Sequence, residues 1–152
     1  ESGGRDFYRW SAAAARNAGL TDEGRIQDAV RRAARMLVRF QATALFAAMD
    51  AAAQRLLEVP YSVLDAEGRL DAGIMDALWC DETAHWHLVE FKTDRIKDAH
   101  DLERQLQEHD YIEQVARYLA AAEHLLGRRP EPALCFLDVA GRVRLVTDRW
   151  DG

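Results

Sequence analysis

The sequence predicts a mixed α/β (α+β) domain, with one central sheet of about five strands flanked by helices. Apolar residues recur three and four positions apart over residues 21–57 and 102–126, which is typical of helices packed on one face. Over residues 58–93 and 133–147 the period changes to two, which is typical of strands. The predicted order is therefore α, βββ, α, ββ. A chain of 152 residues is long enough for one domain that buries roughly 70% of its unfolded surface.

The N-terminal third is predicted to be helical. We interpret residues 1–20 as a leader and helical extension, and residues 21–57 as the N-terminal helices. Asp22 is expected to cap the first of these helices. The run is too long for one ordinary globular helix, so we expect a break near residues 41–43.

The first three strands are predicted to form an antiparallel meander, because only short turns separate them. They are expected at residues 58–64, 69–79 and 84–93, with Gly73 interrupting the second. Proline cannot donate a ladder hydrogen bond, so Pro60 predicts either that the first strand lies at an edge of the sheet or that Pro60 stands near the beginning of the strand.

The second half is predicted to contain one long helix and two strands. Asp101 is the expected cap of a helix over residues 102–126, and Gly127 its C-terminal stop. Strands follow at residues 133–139 and 142–147, joined by a tight two-residue turn.

Composition excludes several classes of protein. The longest nearly apolar stretch, residues 42–49, is far shorter than the roughly 20 residues of a membrane-spanning helix. The net charge of −6 argues against a general nucleic-acid coat protein. Cys80 and Cys135 are too few for a four-cysteine zinc site or iron–sulfur cluster, and are interpreted as buried, reduced thiols. Only two basic residues are lysines, so the abundant arginines are attributed mostly to compositional bias.

The third predicted strand carries the most informative residues. Alternation places Glu90 and Lys92 on one face, with Val89 and Phe91 on the other. Asp76 lies within an apolar stretch of the preceding strand. Because unpaired carboxylates are costly in apolar surroundings, two acids beside one ammonium suggest a divalent cation bound by oxygen ligands.

These residues stand in an order that resembles the PD-(D/E)XK nuclease superfamily. The closer resemblance is to the RecB/AddA-type nuclease domain at the end of UvrD-like helicase–nucleases. Four segments match its motifs in the right order: Glu58-Val59-Pro60-Tyr61, Gly73-Ile74-Met75-Asp76, Glu90-Phe91-Lys92-Thr93-Asp94 and Gln114-Val115-Ala116-Arg117-Tyr118. The resemblance covers about residues 26–146 and implies a restriction-endonuclease-like catalytic core over residues 58–147.

The resemblance implies a role for each central residue. Asp76, Glu90 and the backbone carbonyl of Phe91 would bind Mg²⁺ or Mn²⁺, and Lys92 would orient the attacking hydroxide. The plainer alternatives are a strand-end acid for Asp76 and a surface salt bridge between Glu90 and Lys92.

Three further residues belong to the implied site. Glu58 would bind a second metal or lie in the outer shell of ligands. Gln114 and Tyr118 are four residues apart, so one helical face presents both beside the active site. Ordinary packing is the alternative for all three. The five histidines lack metal-ligand spacing, and Trp79 is interpreted as a core residue.

The resemblance implies a Mg²⁺-dependent deoxyribonuclease of the exonuclease type, acting in recombination and double-strand-break repair. Its implied partners are DNA single strands or duplex ends, an ATP-dependent helicase motor of the same parent chain, and a second helicase–nuclease subunit. We expect no iron–sulfur cluster, no membrane contact, and a bacterial cytoplasmic, nucleoid-associated location. Residues 1–152 are thus expected to be a single nuclease domain from a larger protein.

Two alternatives remain open. One is a free-standing exonuclease or resolvase-like enzyme of the same fold. The other is a catalytically degenerate module that binds DNA or serves as a scaffold. RecB/AddA-type domains carry a histidine on a helix upstream of the first glutamate, whereas no histidine precedes His85 here. That departure favours degeneracy, while the intact Asp76, Glu90 and Lys92 argue against it.

Overall fold

The sheet and its flanking helices confirm the predicted fold class. A computed structural model describes residues 2–64 and 67–150, with side chains from residue 6 onward. The helices are α1 Ser2–Asn17, α2 Glu23–Gln41, α3 Ala44–Asp50, α4 Ala99–Glu108 and α5 Tyr111–Leu126. The strands are β1 Gln54–Leu64, β2 Leu70–Cys80, β3 Trp86–Lys92, β4 Glu131–Val139 and β5 Arg142–Val146.

The five strands form one mixed sheet in the order β1-β2-β3-β4-β5. The predicted antiparallel meander β1-β2-β3 is confirmed, and β4 and β5 form an antiparallel hairpin. β4 lies parallel to β3, because α4 and α5 carry the chain back along the sheet between them. Each face of the sheet covers its own apolar core. Leu88, Leu119 and Phe136 belong to the core under α4 and α5, and Met49 and Val89 to the one under α2 and α3.

The N-terminal helices follow the prediction except at their end. The Asp22 side chain caps α2 by accepting from the Arg25 amide, and the break falls where expected, with Thr43 capping α3. The helical prediction up to residue 57 is wrong, since α3 ends at Asp50. Strand pairing overrides helix propensity there, and the Ala53 amide already bonds the Cys80 carbonyl at 3.0 Å.

The single helix predicted over residues 102–126 is two helices. The chain is extended at His109, between α4 and α5. The apolar residues Leu106 and Ile112, which both pack on the core, are six residues apart, a spacing that one helical face does not join. Asp98, rather than Asp101, caps α4, whereas Gly127 ends α5 with a left-handed φ of 69° as predicted.

The remaining strand predictions are correct to within a few residues at each end, apart from the interruption at Gly73. β2 is continuous through Gly73, where a Cβ atom would come within 2.9 Å of the Tyr61 ring. The tight turn at Ala140 and Gly141 is confirmed, with φ of 49° and 76°. In the part of the chain that the structure describes, no helix is long and apolar enough to cross a membrane.

Candidate active site

The candidate site lies where β2 and β3 diverge. The two strands pair from Cys80 and Trp86 as far as Ala77 and Val89, and then separate. At the point of separation, Asp76 Oδ2 accepts a hydrogen bond from the Phe91 amide at 2.8 Å. The carboxylate therefore takes the place of a ladder carbonyl and fixes Asp76 against the C-terminal end of β3.

The pleat of β2 is interrupted at the same residue. Met75 and Leu78 both pack in the core under α4 and α5, while Ala77 packs in the opposite core. Strict alternation would place Met75 with Ala77, so the alternation breaks at Asp76. Across the ladder from Asp76, Glu58 has a φ of 50°, which is uncommon for a residue with a side chain. Two backbone irregularities, at Asp76 and Glu58, therefore lie beside the candidate site.

Glu90 is the central buried acid, with 5% of its surface exposed. Its Oε1 accepts from Lys92 Nζ at 3.0 Å, but its Oε2 is buried with no hydrogen-bond partner among the described residues. Burial raises the pKa of Glu90 above its usual range, and the nearby Asp76 charge raises it further, while Lys92 opposes both effects. One lysine is therefore insufficient to compensate the two acids.

Lys92 is held by a chain of side chains from α5. Its Nζ donates to Gln114 Oε1 at 2.7 Å, and Gln114 Nε2 donates to the Tyr118 hydroxyl at 2.8 Å. Burial raises the pKa of Tyr118, which keeps the phenol protonated. The structure thus brings together five of the predicted site residues. They are Asp76, Glu90, Lys92, Gln114 and Tyr118.

Tyr111 completes the surroundings of Lys92 and was missed by the sequence prediction. The Lys92 ammonium lies 4.7 Å from the centroid of its ring, within the range of a cation–π contact. The Tyr111 hydroxyl donates to Asp94 Oδ2 at 3.2 Å. Tyr111 precedes Gln114 by three residues, and this helical spacing is the signal that would have placed it on the same face.

Glu58 lies at the edge of the site rather than within it. Its side chain is exposed and lines an open cavity of about 620 Å³ together with Asp76, Phe91 and Thr93. Among the described residues, no three acids, histidines or cysteines form a metal-binding cluster, so Glu58 does not join the two inner acids.

Among the described residues, neither thiol bonds to a residue of the candidate site, although Cys135 lies beside Phe91 in the sheet register. Cys80 and Cys135 are buried and unpaired, as predicted. Burial raises the pKa of Cys135 to about 12, which makes it a poor nucleophile. Trp79 is buried as expected, and its ring stacks on His87 with centroids 3.9 Å apart.

Comparison with known proteins adds little beyond these observations. No protein-family model and no curated protein matches the chain. Among solved structures, the chain is similar to the protein VC1899 from Vibrio cholerae, with 17% sequence identity and a TM-score of 0.40. The match covers 78% of this chain but only 27% of VC1899. A likeness this distant carries no argument about function, which therefore has to be argued from the site itself.

Proposed function

We propose that this domain is a metal-dependent nuclease that hydrolyses phosphodiester bonds in DNA. The observation that carries the proposal is the buried Glu90, which lies beside Asp76 and is bonded to Lys92, and whose Oε2 has no partner among the residues that the structure describes. An oxygen left in this state is costly unless a proton or a cation binds it, and the motif resemblance favours the cation. The motif resemblance to PD-(D/E)XK nucleases supports the same chemistry.

The two acids fit Mg²⁺ or Mn²⁺ better than a softer metal. Mg²⁺ is usually held by one or two carboxylates, with water and substrate phosphates completing its ligands. The absence of a three-residue cluster in the described chain fits that mode. Asp76 and Glu90 would hold the ion, and the Phe91 carbonyl is the further ligand that the resemblance implies. Once bound, the ion supplies neutralisation of phosphoryl charge and a lower pKa for water.

Lys92 has the geometry of a group that orients the attacking water. Glu90 and Gln114 hold its ammonium from two sides, at 3.0 and 2.7 Å, and the Tyr111 ring lies against it. Its third proton can be directed toward a water or a phosphoryl oxygen, where negative charge develops in the transition state. Gln114, fixed by Tyr118, positions Lys92 without contacting the reacting atoms.

The biological setting is proposed from the resemblance. We propose that the domain processes DNA single strands or ends during recombination and double-strand-break repair, in the cytoplasm of a bacterium. An ATP-dependent helicase motor, together with a second helicase–nuclease subunit, would supply the DNA. The chain itself contains no nucleotide-binding loop motif, so the motor would lie in another domain.

A non-catalytic DNA-binding module is the second candidate. Two observations favour it: no histidine precedes His85, and the described residues offer no third protein side chain to a metal. A free-standing nuclease of the same fold would differ from the helicase-linked enzyme in its substrate, because it would also cleave covalently closed DNA.

Cleavage of labelled linear and closed circular DNA with Mg²⁺ or Mn²⁺ tests these proposals. Wild type is compared with Asp76→Ala and Lys92→Ala, and with Glu82→Ala, which removes an exposed acid remote from the site. We expect metal-dependent cleavage that both site variants lower by about a thousandfold and that the control leaves unchanged. Wild type that neither cleaves nor binds metal in calorimetry would leave the non-catalytic module standing. Normal cleavage by Lys92→Ala would overturn its assigned role.

A further inference from the structure

A second, strongly basic cavity is lined by the loop after β3, the loop whose Thr93 also lines the cavity of the candidate site. It has a volume of about 480 Å³ and is bounded by the second half of α2, the loop after β3 and the turn between β4 and β5. Five cationic side chains line it: Arg32, Arg35, Arg39, Arg95 and Lys97. In a chain with a net charge of −6, this concentration of positive charge is not explained by composition.

Only two of the five cations form an ion pair within the described chain, and they share one carboxylate. Arg32 Nε donates to Asp138 Oδ2 at 3.0 Å, and Arg39 donates to Asp138 Oδ1 at 3.2 Å. Burial acts to raise the pKa of Asp138, but the two guanidinium groups outweigh it and lower the pKa. This triad satisfies the buried acid and forms the floor of the cavity.

The other three cations are less engaged by the protein. Arg35, Arg95 and Lys97 are exposed, and within the described chain none of their side chains forms an ion pair or hydrogen bond. The Lys97 charge does act on Asp101, since it helps to lower the pKa of that carboxyl. Like charges placed around one cavity repel each other, and an anion bound among them would relieve that repulsion. Arginine side chains also suit phosphate in particular, because the guanidinium fork can make two parallel hydrogen bonds to it.

The basic cavity is connected to the candidate active site through the loop after β3. Arg32 donates to the Thr93 carbonyl at 2.5 Å, and Thr93 also lines the open cavity beside Asp76. Arg95 follows only two residues later. A nucleic-acid strand with one phosphodiester at Asp76 can therefore place a neighbouring part of its backbone over the basic cavity.

We propose that Arg35, Arg95 and Lys97 bind a backbone phosphate of the DNA strand whose scissile phosphodiester lies at Asp76 and Glu90. The choice of DNA as ligand rests on the proposed nuclease function. The phosphate chemistry rests on the cavity alone. Its role is to hold the register of the strand, since phosphate contacts position a nucleic acid without reading its sequence.

Fluorescence anisotropy of a labelled single-stranded oligonucleotide, in EDTA so that cleavage cannot occur, tests the proposal. The test variant is Arg35→Gln/Arg95→Gln/Lys97→Gln. The matched control is Arg25→Gln/Arg128→Gln/Arg144→Gln, which removes the same charge at exposed positions outside the cavity. We expect the test variant to bind roughly tenfold more weakly. Its plot of log affinity against log salt concentration should have a slope smaller by about one to three, one for each lost phosphate contact. The control should bind nearly as wild type.

Each other outcome overturns the proposal. Equal weakening in both triple variants would mean that DNA affinity depends only on the net charge of the protein, not on the basic cavity. Unchanged binding by the test variant would remove the cavity from the DNA path, and would identify a site for free phosphate if wild type alone binds inorganic phosphate in calorimetry. Because binding is measured without metal, a protein that never cleaves but loses DNA affinity only in the test variant fails the nuclease proposal and keeps the phosphate contact at the basic cavity.

Discussion

Two buried carboxylates on neighbouring strands have opposite electrostatic surroundings. Glu90 on β3 and Asp138 on β4 are 5% and 9% exposed. Asp138 accepts from two arginines, one on each oxygen, and its pKa is lowered. Glu90 accepts from one lysine, has a raised pKa, and finds no partner for Oε2 within the described part of the chain.

The difference separates a structural acid from one that is prepared for a ligand. Asp138 is fully compensated by the protein, so it ties α2 to the sheet and needs nothing further. Glu90 and Asp76 together carry more negative charge than Lys92 compensates. Buried charge without a partner is expensive and is retained where a function uses it. The comparison predicts that substitutions at the two acids will separate activity from stability.

The largest expected effect is on catalysis. Glu90→Gln keeps the shape of the side chain and an acceptor for Lys92, but removes the negative charge that would hold a cation. We expect initial cleavage rates to fall on the order of a thousandfold. Asp138→Asn, the matched control, should cleave at the wild-type rate at saturating DNA and at temperatures where it is folded. A Glu90→Gln enzyme that retains a tenth of wild-type activity would contradict the assignment of Glu90 as a metal ligand.

The second-largest expected effect is on stability. Here Asp138→Asn, rather than Glu90→Gln, should be the more impaired variant. Asp138→Asn leaves two guanidinium groups without their countercharge. We expect the free energy of unfolding to fall by about 1–3 kcal/mol, less than for a fully buried pair because both arginines remain about one-third exposed. Glu90→Gln should lose no stability at neutral pH. Urea denaturation with equal m-values measures both, and equal destabilisation would remove the contrast.

A metal titration sharpens the contrast further. If Asp76 and Glu90 bind Mg²⁺, a concentration ten times the Kd stabilises the folded state by about 1.4 kcal/mol. For a domain of this size, that corresponds to a rise in Tm of a few degrees. Wild type and Asp138→Asn should show this rise, whereas Glu90→Gln should not. A rise in all three proteins would place the ion elsewhere.

The sequence was sufficient to locate the acids but not to distinguish their surroundings. Asp76, Glu90 and Lys92 were recognisable because each stands in an apolar strand, where a charged residue requires a reason. The role of Gln114 in holding Lys92 depends on how α5 lies across the sheet, which periodicity alone does not fix. Asp138 stands equally deep in an apolar strand but drew no attention, because its partners lie about a hundred residues away.

The basic cavity shows the same limit. Arg32, Arg35 and Arg39 recur at helical spacing, which is equally typical of a solvated helix face. Only the packing of α2 against the loop after β3 brings them to Arg95 and Lys97. The break between α4 and α5, by contrast, was readable in principle, since a six-residue gap between apolar positions does not fit one helix.

The smallest expected effect is the pH dependence of the stability differences. The pKa of Glu90 is raised by folding, so its stabilising contribution is present below the unfolded-state pKa and is lost as the pH rises through the folded-state pKa. Glu90→Gln should therefore exceed wild type in stability most at neutral pH, and this advantage should shrink as the pH falls through the raised pKa. The pKa of Asp138 is lowered, so its contribution is present at neutral pH and is lost only at more acidic pH. Urea denaturation of the three proteins over a pH series, without metal, should show the Glu90 difference closing first. A Glu90 difference that stays constant from neutral to acidic pH would mean that this buried acid is compensated by the protein, as Asp138 is.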